Sequence, residues 1–300
     1  MKVTLAFVLC CLLALFQSPV RAEPPQASPA PVLGKQELNW LEDQERFRIG
    51  LRSDQVPLVF DTGNGVLAGT YIDYLARLSD KLGVTMEPVV LESGRETGPV
   101  QSELATDAVL TTRMPGMPVV PGQRFTDPLM SLTYGLFVSA GDAAIRTLAD
   151  LEGSRIAVIA GDPNQYPMLD PVEEFTPVPV GNVSEAVGQI LSGQADAFLA
   201  PVPVVSDYLQ SAMVNGIGLS VLLDNSTVDV VLQVDTDRDR LYQVLNRAIA
   251  AISHHEHRTI RQSWLQADQP AMERSGLELS ESDIDWLKRH PDLKVAFRSD

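Results

Sequence analysis

Two stretches of the chain, Glu103-Leu104-Ala105-Thr106-Asp107-Ala108-Val109-Leu110 and Ser192-Gly193-Gln194-Ala195-Asp196-Ala197-Phe198-Leu199, share one pattern: a helix end, an Asp-Ala pair and an apolar strand. They stand about 90 residues apart, and the repetition predicts two similar lobes. Working outward, residues 47–51, 84–91, 134–139, 155–160 and 228–234 also read as short apolar strands. Such near-continuous apolar runs between helices suit an α/β fold with a parallel sheet covered on both faces. A short helix is expected over 37–44 and another over 184–191. Tyr71, Tyr74, Leu75, Leu78 and Leu82 recur at helical spacing before Gly83, a left-handed stop. Gly161-Asp162-Pro163 reads as a turn, an N-cap and an N1 proline, starting a helix where ligands sit in open α/β sheets. Asp237 is expected to cap a long helix with Leu241, Val244, Leu245, Ala248, Ile249 and Ile252 on one face.

Three hundred residues suffice for one or two domains. With 23 Lys and Arg against 39 Asp and Glu, the formal charge of −16 opposes nucleic-acid binding. Lys2, an apolar run over 3–16 and Val20-Arg21-Ala22 read as a secretory signal peptide over 1–22. The run falls short of the roughly 20 residues a bilayer requires. A lipoprotein cysteine is disfavoured because too little apolar chain precedes Cys10. Cleavage after Ala22 removes Lys2, Arg21 and no acid, which leaves 21 bases, 39 acids and a charge of −18. It also removes Cys10 and Cys11, so no disulfide, thiol nucleophile or Cys-bound metal is expected. Residues 23–36, with four prolines, read as an extended leader.

Trp40-Leu41 followed by Phe47-Arg48-Ile49-Gly50-Leu51-Arg52-Ser53-Asp54 returns as Trp286-Leu287 followed by Leu293-Lys294-Val295-Ala296-Phe297-Arg298-Ser299-Asp300, without a gap. We read this tail as the first helix and strand of a second copy of the domain. One strand alone cannot satisfy its backbone donors, so the tail is expected to be poorly ordered by itself.

Several motifs keep a common order. They are Asp54-x-x-Pro57-x-x-Phe60, Asn64-Gly65-x-Leu67-x-Gly69 before Asp73-x-Leu75-Ala76, and Phe125-Thr126-Asp127-Pro128. Leu148-x-Asp150-Leu151-x-Gly153, Gly193-x-x-Asp196-Ala197 and a closing Trp264 follow. With these, residues 47–266 resemble the family-3 bacterial solute-binding domain. The resemblance implies a bilobed periplasmic-binding-protein-like (type II) fold, the Venus flytrap, with two lobes joined by crossover strands at a hinge. The domain would span 37–270, with lobe 1 over 47–133 and 228–268, lobe 2 over 134–227, and the second start over 271–300. The hinge would lie at Thr133, Tyr134, Thr227 and Val228.

Two such domains in tandem behind a signal peptide resemble the periplasmic half of BvgS-type hybrid sensor histidine kinases. That resemblance implies a periplasmic sensor module, with a second flytrap and a membrane-anchored kinase of a longer parent chain as partners, in a homodimeric arrangement. The alternative is a free substrate-binding protein of an ABC transporter for a small polar solute.

Departures from the family pattern bear on the ligand. Gln55 and Leu58 stand where clamping aromatics are expected, and residues 114–120 replace a Thr-x-x-x-Arg stretch. Asp162 replaces a carboxylate-receiving helix start, and Pro201 an amine-pairing Asp. The resemblance therefore argues against an ordinary amino acid and leaves a small polar or anionic solute. Arg52, Asp54, Gln55, Thr111, Thr112, Arg113, Asp162 and Gln165 are the candidate cleft residues, with Arg52 and Arg113 either serving an anion or pairing with Asp54 and Asp162. His254, His255 and His257 invite a metal, but they are read as the end of a helix, where His suits the dipole, so no metal is assigned. No cofactor and no catalytic motif is legible: phosphate loop, nucleophile elbow and His-Glu-x-x-His are all absent from the sequence.

Overall fold

The structure is a computed structural model, and the described residues are 33–91, 106–119, 121–142 and 144–265. The signal peptide, most of the leader, the helix end at 103–105 and the repeated tail lie outside them.

Asp107 and Asp196 have matching roles in the two lobes. Asp107 precedes β6 (Ala108–Arg113). Its carboxylate accepts the Arg48 N–H at 2.7 Å, and its own N–H donates to the Arg48 carbonyl at 2.7 Å. Asp196 precedes β11 (Ala197–Pro201) and makes the same pair of bonds with Arg155, at 2.8 and 2.7 Å. Each aspartate thereby sets the register between its strand and the strand beginning the lobe, β1 (Arg46–Leu51) or β9 (Arg155–Ile159). Each also carries a guanidinium, Arg238 on Asp107 and Arg155 on Asp196.

In one lobe β1 lies parallel between β5 (Thr85–Val90) and β6. In the other, β9 lies parallel between β10 (Thr176–Val180) and β11. Two long strands link the groups, β8 (Met130–Ser139) and β12 (Ile217–Asp235). They run antiparallel to each other, and β8 to β11 and β12 to β6 are antiparallel as well. The expected parallel sheet is thus mixed, because the chain passes between lobes once in each direction. Among the described residues the strand order is β10-β9-β11-β8-β12-β6-β1-β5, with β7 (Gln123–Phe125) also on β12. The last strand begins eleven residues before the expected 228, since Ile217 to Leu222 already pair with β8. Register shifts between Leu219 and Val221 and between Leu222 and Thr227 separate its two halves.

The helices follow the apolar periodicity, with shifted starts. The first, α1 (Lys35–Glu42), begins two residues early because the Glu37 carboxylate accepts the Gly34 N–H at 2.7 Å. Trp40 then stacks on Phe47, with centroids 5.6 Å apart. The second, α2 (Thr70–Leu82), buries Tyr71, Tyr74, Leu75, Leu78 and Leu82 and ends on left-handed Gly83. In lobe 2, α3 (Gln165–Leu169) starts two residues after Pro163, with Asn164 as its N-cap. Asp162 holds that start from outside by accepting the Asn164 N–H at 2.9 Å. Then come α4 (Val183–Leu191), capped by Asn182, and the unanticipated α5 (Val202–Ser211), whose Pro203 sits in the first turn where proline is tolerated.

Lobe 1 closes with α6 (Asp239–Ala250), capped by Arg238 rather than Asp237, and α7 (His254–Trp264). The histidines therefore open a helix instead of ending one. Ser253 and Glu256 form a capping box there, an interaction worth about 1 kcal/mol. Apart from Val204, the fully buried residues of the lobe 1 core come from 41–132 and 230–265. The cores on either side of the lobe 2 sheet are built from 134–228.

Candidate functional site

The hairpin of β2 (Asp54–Gln55) and β3 (Val59–Asp61) forms one wall of a cleft, with β4 (Leu67–Ala68) completing its small sheet. Gly69 follows, with φ of 120°, and a Cβ there would lie 2.5 Å from the Leu58 carbonyl oxygen. That close approach lets Thr70 and Tyr71 donate their N–H groups to Pro57 and Leu58, which fixes the start of α2 and presents Tyr71 to the cleft. The opposite wall is the Gly161-Asp162-Pro163 turn after β9, with Tyr134 and Pro201 at the crossing. The free volume between the walls is about 40 Å³.

Arg52, Gln55, Thr111, Thr112 and Asp162 line this cavity. Arg52 pairs with Asp54 at 3.0 Å and also crosses to lobe 2, donating to the Ala160 carbonyl at 3.0 Å. Of the other three candidates, Asp54 is outside the lining and acts through Arg52, and the structure turns the last two away. Arg113 lies over the Phe125 ring at 4.8 Å and donates to the Met117 carbonyl. Gln165 is buried, taking the Ile159 N–H and donating to the Leu199 carbonyl, and so it ties β9 to β11. At the expected hinge, Thr133 and Thr227 are cross-strand partners and Val228 pairs with Leu132.

The polar centre of the cleft includes residues that sequence reasoning missed. Asn164, fully buried, crosses between lobes by donating to the Thr112 hydroxyl at 2.8 Å. Its side-chain oxygen has no hydrogen-bond partner among the described residues. The Tyr134 hydroxyl donates to Asp162 at 3.0 Å, so this residue, expected at the hinge, lies in the cleft. Tyr71 is 3% exposed, and its hydroxyl finds no partner among the described residues. Burial, reinforced by the Asp162 charge, pushes both phenols well above their ordinary pKa. Burial likewise raises the Asp162 carboxyl, against the lowering effect of the Asn164 N–H, Tyr134 and Arg52. The site can hydrogen-bond and orient a small polar group. Among the described residues, no cluster of His, Cys, Asp and Glu is arranged to hold a metal. His257 instead shares a hydrogen bond with the Tyr74 hydroxyl at 2.9 Å.

Two lobes, two crossing strands and a polar cleft between them define a Venus-flytrap binding-protein fold. A crystal structure of the Bordetella pertussis BvgS periplasmic VFT2 domain matches it with a TM-score of 0.67, 18% identity, 78% of this chain and 99% of that one. An ancestral arginine-binding protein bound to arginine matches at 0.63 and 22%, over 74% of this chain and 98% of that one. At the level of sequence, the chain is homologous to segments of EvgS and BvgS sensor proteins. It is 23% identical to the sensor protein EvgS of Escherichia coli O157:H7 over 264 residues, 88% of this chain and 22% of that protein. It is 22% identical to the virulence sensor protein BvgS of Bordetella bronchiseptica over 267 residues, 86% and 21% of the respective lengths. The chain thus spans about a fifth of the length of these relatives. No family model matches it.

Proposed function

We propose that the domain is a periplasmic sensory module, the first flytrap of a membrane-anchored two-component histidine kinase, that signals by opening and closing its lobes. The observation that carries this reading is the match to EvgS along 88% of the chain. A solute touching both lobes favours closure by the difference in its affinity for the two states. Arg52 and Tyr71 from one wall and Asp162 and Tyr134 around the other suit a small polar or anionic solute. About 40 Å³ holds no more than a few waters, so any larger solute must first part the lobes. The contacts from Arg52 to Ala160 and from Asn164 to Thr112 hold the lobes together meanwhile.

The sensor relatives favour this reading over a free transport receptor, and no reaction is assigned to the cleft. An antibody to residues 33–265 should detect, in fractionated source cells, a membrane-bound polypeptide several times longer than 300 residues. A band of the 300-residue size alone, released by osmotic shock, would overturn the sensor reading in favour of a free receptor.

A further inference from the structure

The chain leaves lobe 1 through α7, and 35 residues of sequence follow Leu265. The start of α7 is fastened to α2 by Lys81 on Glu256 at 3.2 Å and by Tyr74 on His257. Its last residue, Trp264, has a different set of contacts. The indole N–H donates to Asp73 on α2 at 2.7 Å, two residues from the cleft's Tyr71. The ring meets Phe60 edge-on, with centroids 5.8 Å apart and planes at 74°. Phe60 is in turn the cross-strand partner of Asp54, which holds Arg52, and the neighbouring pair is Val59 with the cleft-lining Gln55. Trp264 therefore touches two elements, the β2–β3 hairpin and α2, that each carry a cleft residue.

We infer that Trp264 is a relay: through Phe60 and Asp73 it couples the state of the cleft to the position of the end of α7, and so to the chain that follows. This inference rests on the sensor reading above. When the lobes part, Arg52 loses the Ala160 carbonyl across the cleft, and the clamp formed by Arg52, Asp54 and the hairpin settles differently. Phe60 moves with the hairpin, and the edge-on contact passes that movement to Trp264. Position along a chain of contacts does not by itself establish coupling, so the test must break the chain at one link.

Residues 23–300 would be prepared with Trp40→Phe and Trp286→Phe, leaving Trp264 as the sole indole in that stretch. Thr112→Tyr would wedge the cleft open, with Asn164→Ala as a second variant that removes the cross-lobe bond without added bulk. Small-angle X-ray scattering reads lobe separation and fluorescence reads Trp264. The expected result is a larger radius of gyration together with a shifted Trp264 emission. Adding Phe60→Leu should abolish the shift while the radius stays enlarged, and Phe60→Tyr should restore it. An enlarged radius with unshifted emission, or a shift undiminished by Phe60→Leu, would overturn the relay and leave the sensor reading standing. An unchanged radius in both variants would remove the lobe movement itself, and the relay with it.

Discussion

Asp162 keeps a carboxyl group in a cleft that penalises its charge. Since its pKa is raised on folding, the ionised form costs stability at neutral pH, and that cost falls away as the pH drops through the folded-state value. Asp162→Asn keeps an oxygen for the Asn164 N–H, turns an amide N–H toward the Tyr134 hydroxyl, which can accept it, and removes the charge. Thermal melts at pH 7 should show the variant more stable by about 1 kcal/mol, a rise of about 2–4 °C, with the advantage shrinking toward acid pH. Asp196 behaves in the opposite sense. Arg155 holds its carboxyl below the ordinary 3.8, so its contribution is present above that value and is lost as pH falls through the folded-state one. The pair is partly exposed, so solvent screens it, and Asp196→Ala should cost about 1 kcal/mol at pH 7 and little in strong acid. Chemical denaturation at pH 7 and below pH 3 would check both ends. Asp196 was legible in the sequence because Asp at a strand start is a visible repeat, and Asp162 because it sits in a Gly-Asp-Pro turn past a strand's carboxyl end. The phenols were not, because Tyr71 at a helical interval reads the same whether its ring faces the core or its hydroxyl faces a cleft.

Secondary-structure elements were read best where one physical cause dominated. The apolar face of α2 and its left-handed Gly83 stop came directly from spacing. Places where two causes compete were harder. Pro163 looked like a first helical residue, yet the helix waits for Gln165, whose amide satisfies β9 and β11 at once. The first half of β12 alternates Ile217, Leu219 and Val221 with Gly218 and Ser220, but polar Asp224-Asn225-Ser226-Thr227 separates it from the apolar run at 228, and pairing with β8 joins the two into one strand. Gly69 illustrates how an element can depend on a missing side chain. Ala at 69 would meet three backbone atoms of Pro57 and Leu58 within 2.8 Å, at a φ that side chains avoid. Gly69→Ala should therefore displace the start of α2 and cost about 3 kcal/mol, read by denaturant titration, whereas Gly63→Ala, with open space around its Cβ, should cost only the conformational strain.

Over the whole molecule, the paired Asp-Ala octapeptides foretold two lobes, and each aspartate does serve the same purpose in its own lobe. The ligand was less legible, because specificity arises where segments distant in sequence meet. Leu58 is buried in the lobe 1 core and Pro201 lines the cleft, so neither the aromatic clamp nor the amine-pairing carboxylate of amino-acid receptors is present at those positions. Calorimetry with a panel of common α-amino acids should give no heat of binding, and a micromolar response to any of them would contradict that expectation. The long strand β12 has a further consequence for how the protein is made. Lobe 2 is one uninterrupted stretch bounded by the two crossing strands, whereas lobe 1 needs α6 and α7 from the far end of the described chain. Folding from the amino terminus therefore closes the second lobe first. The first lobe waits, half-assembled, until β12 threads back beside β6.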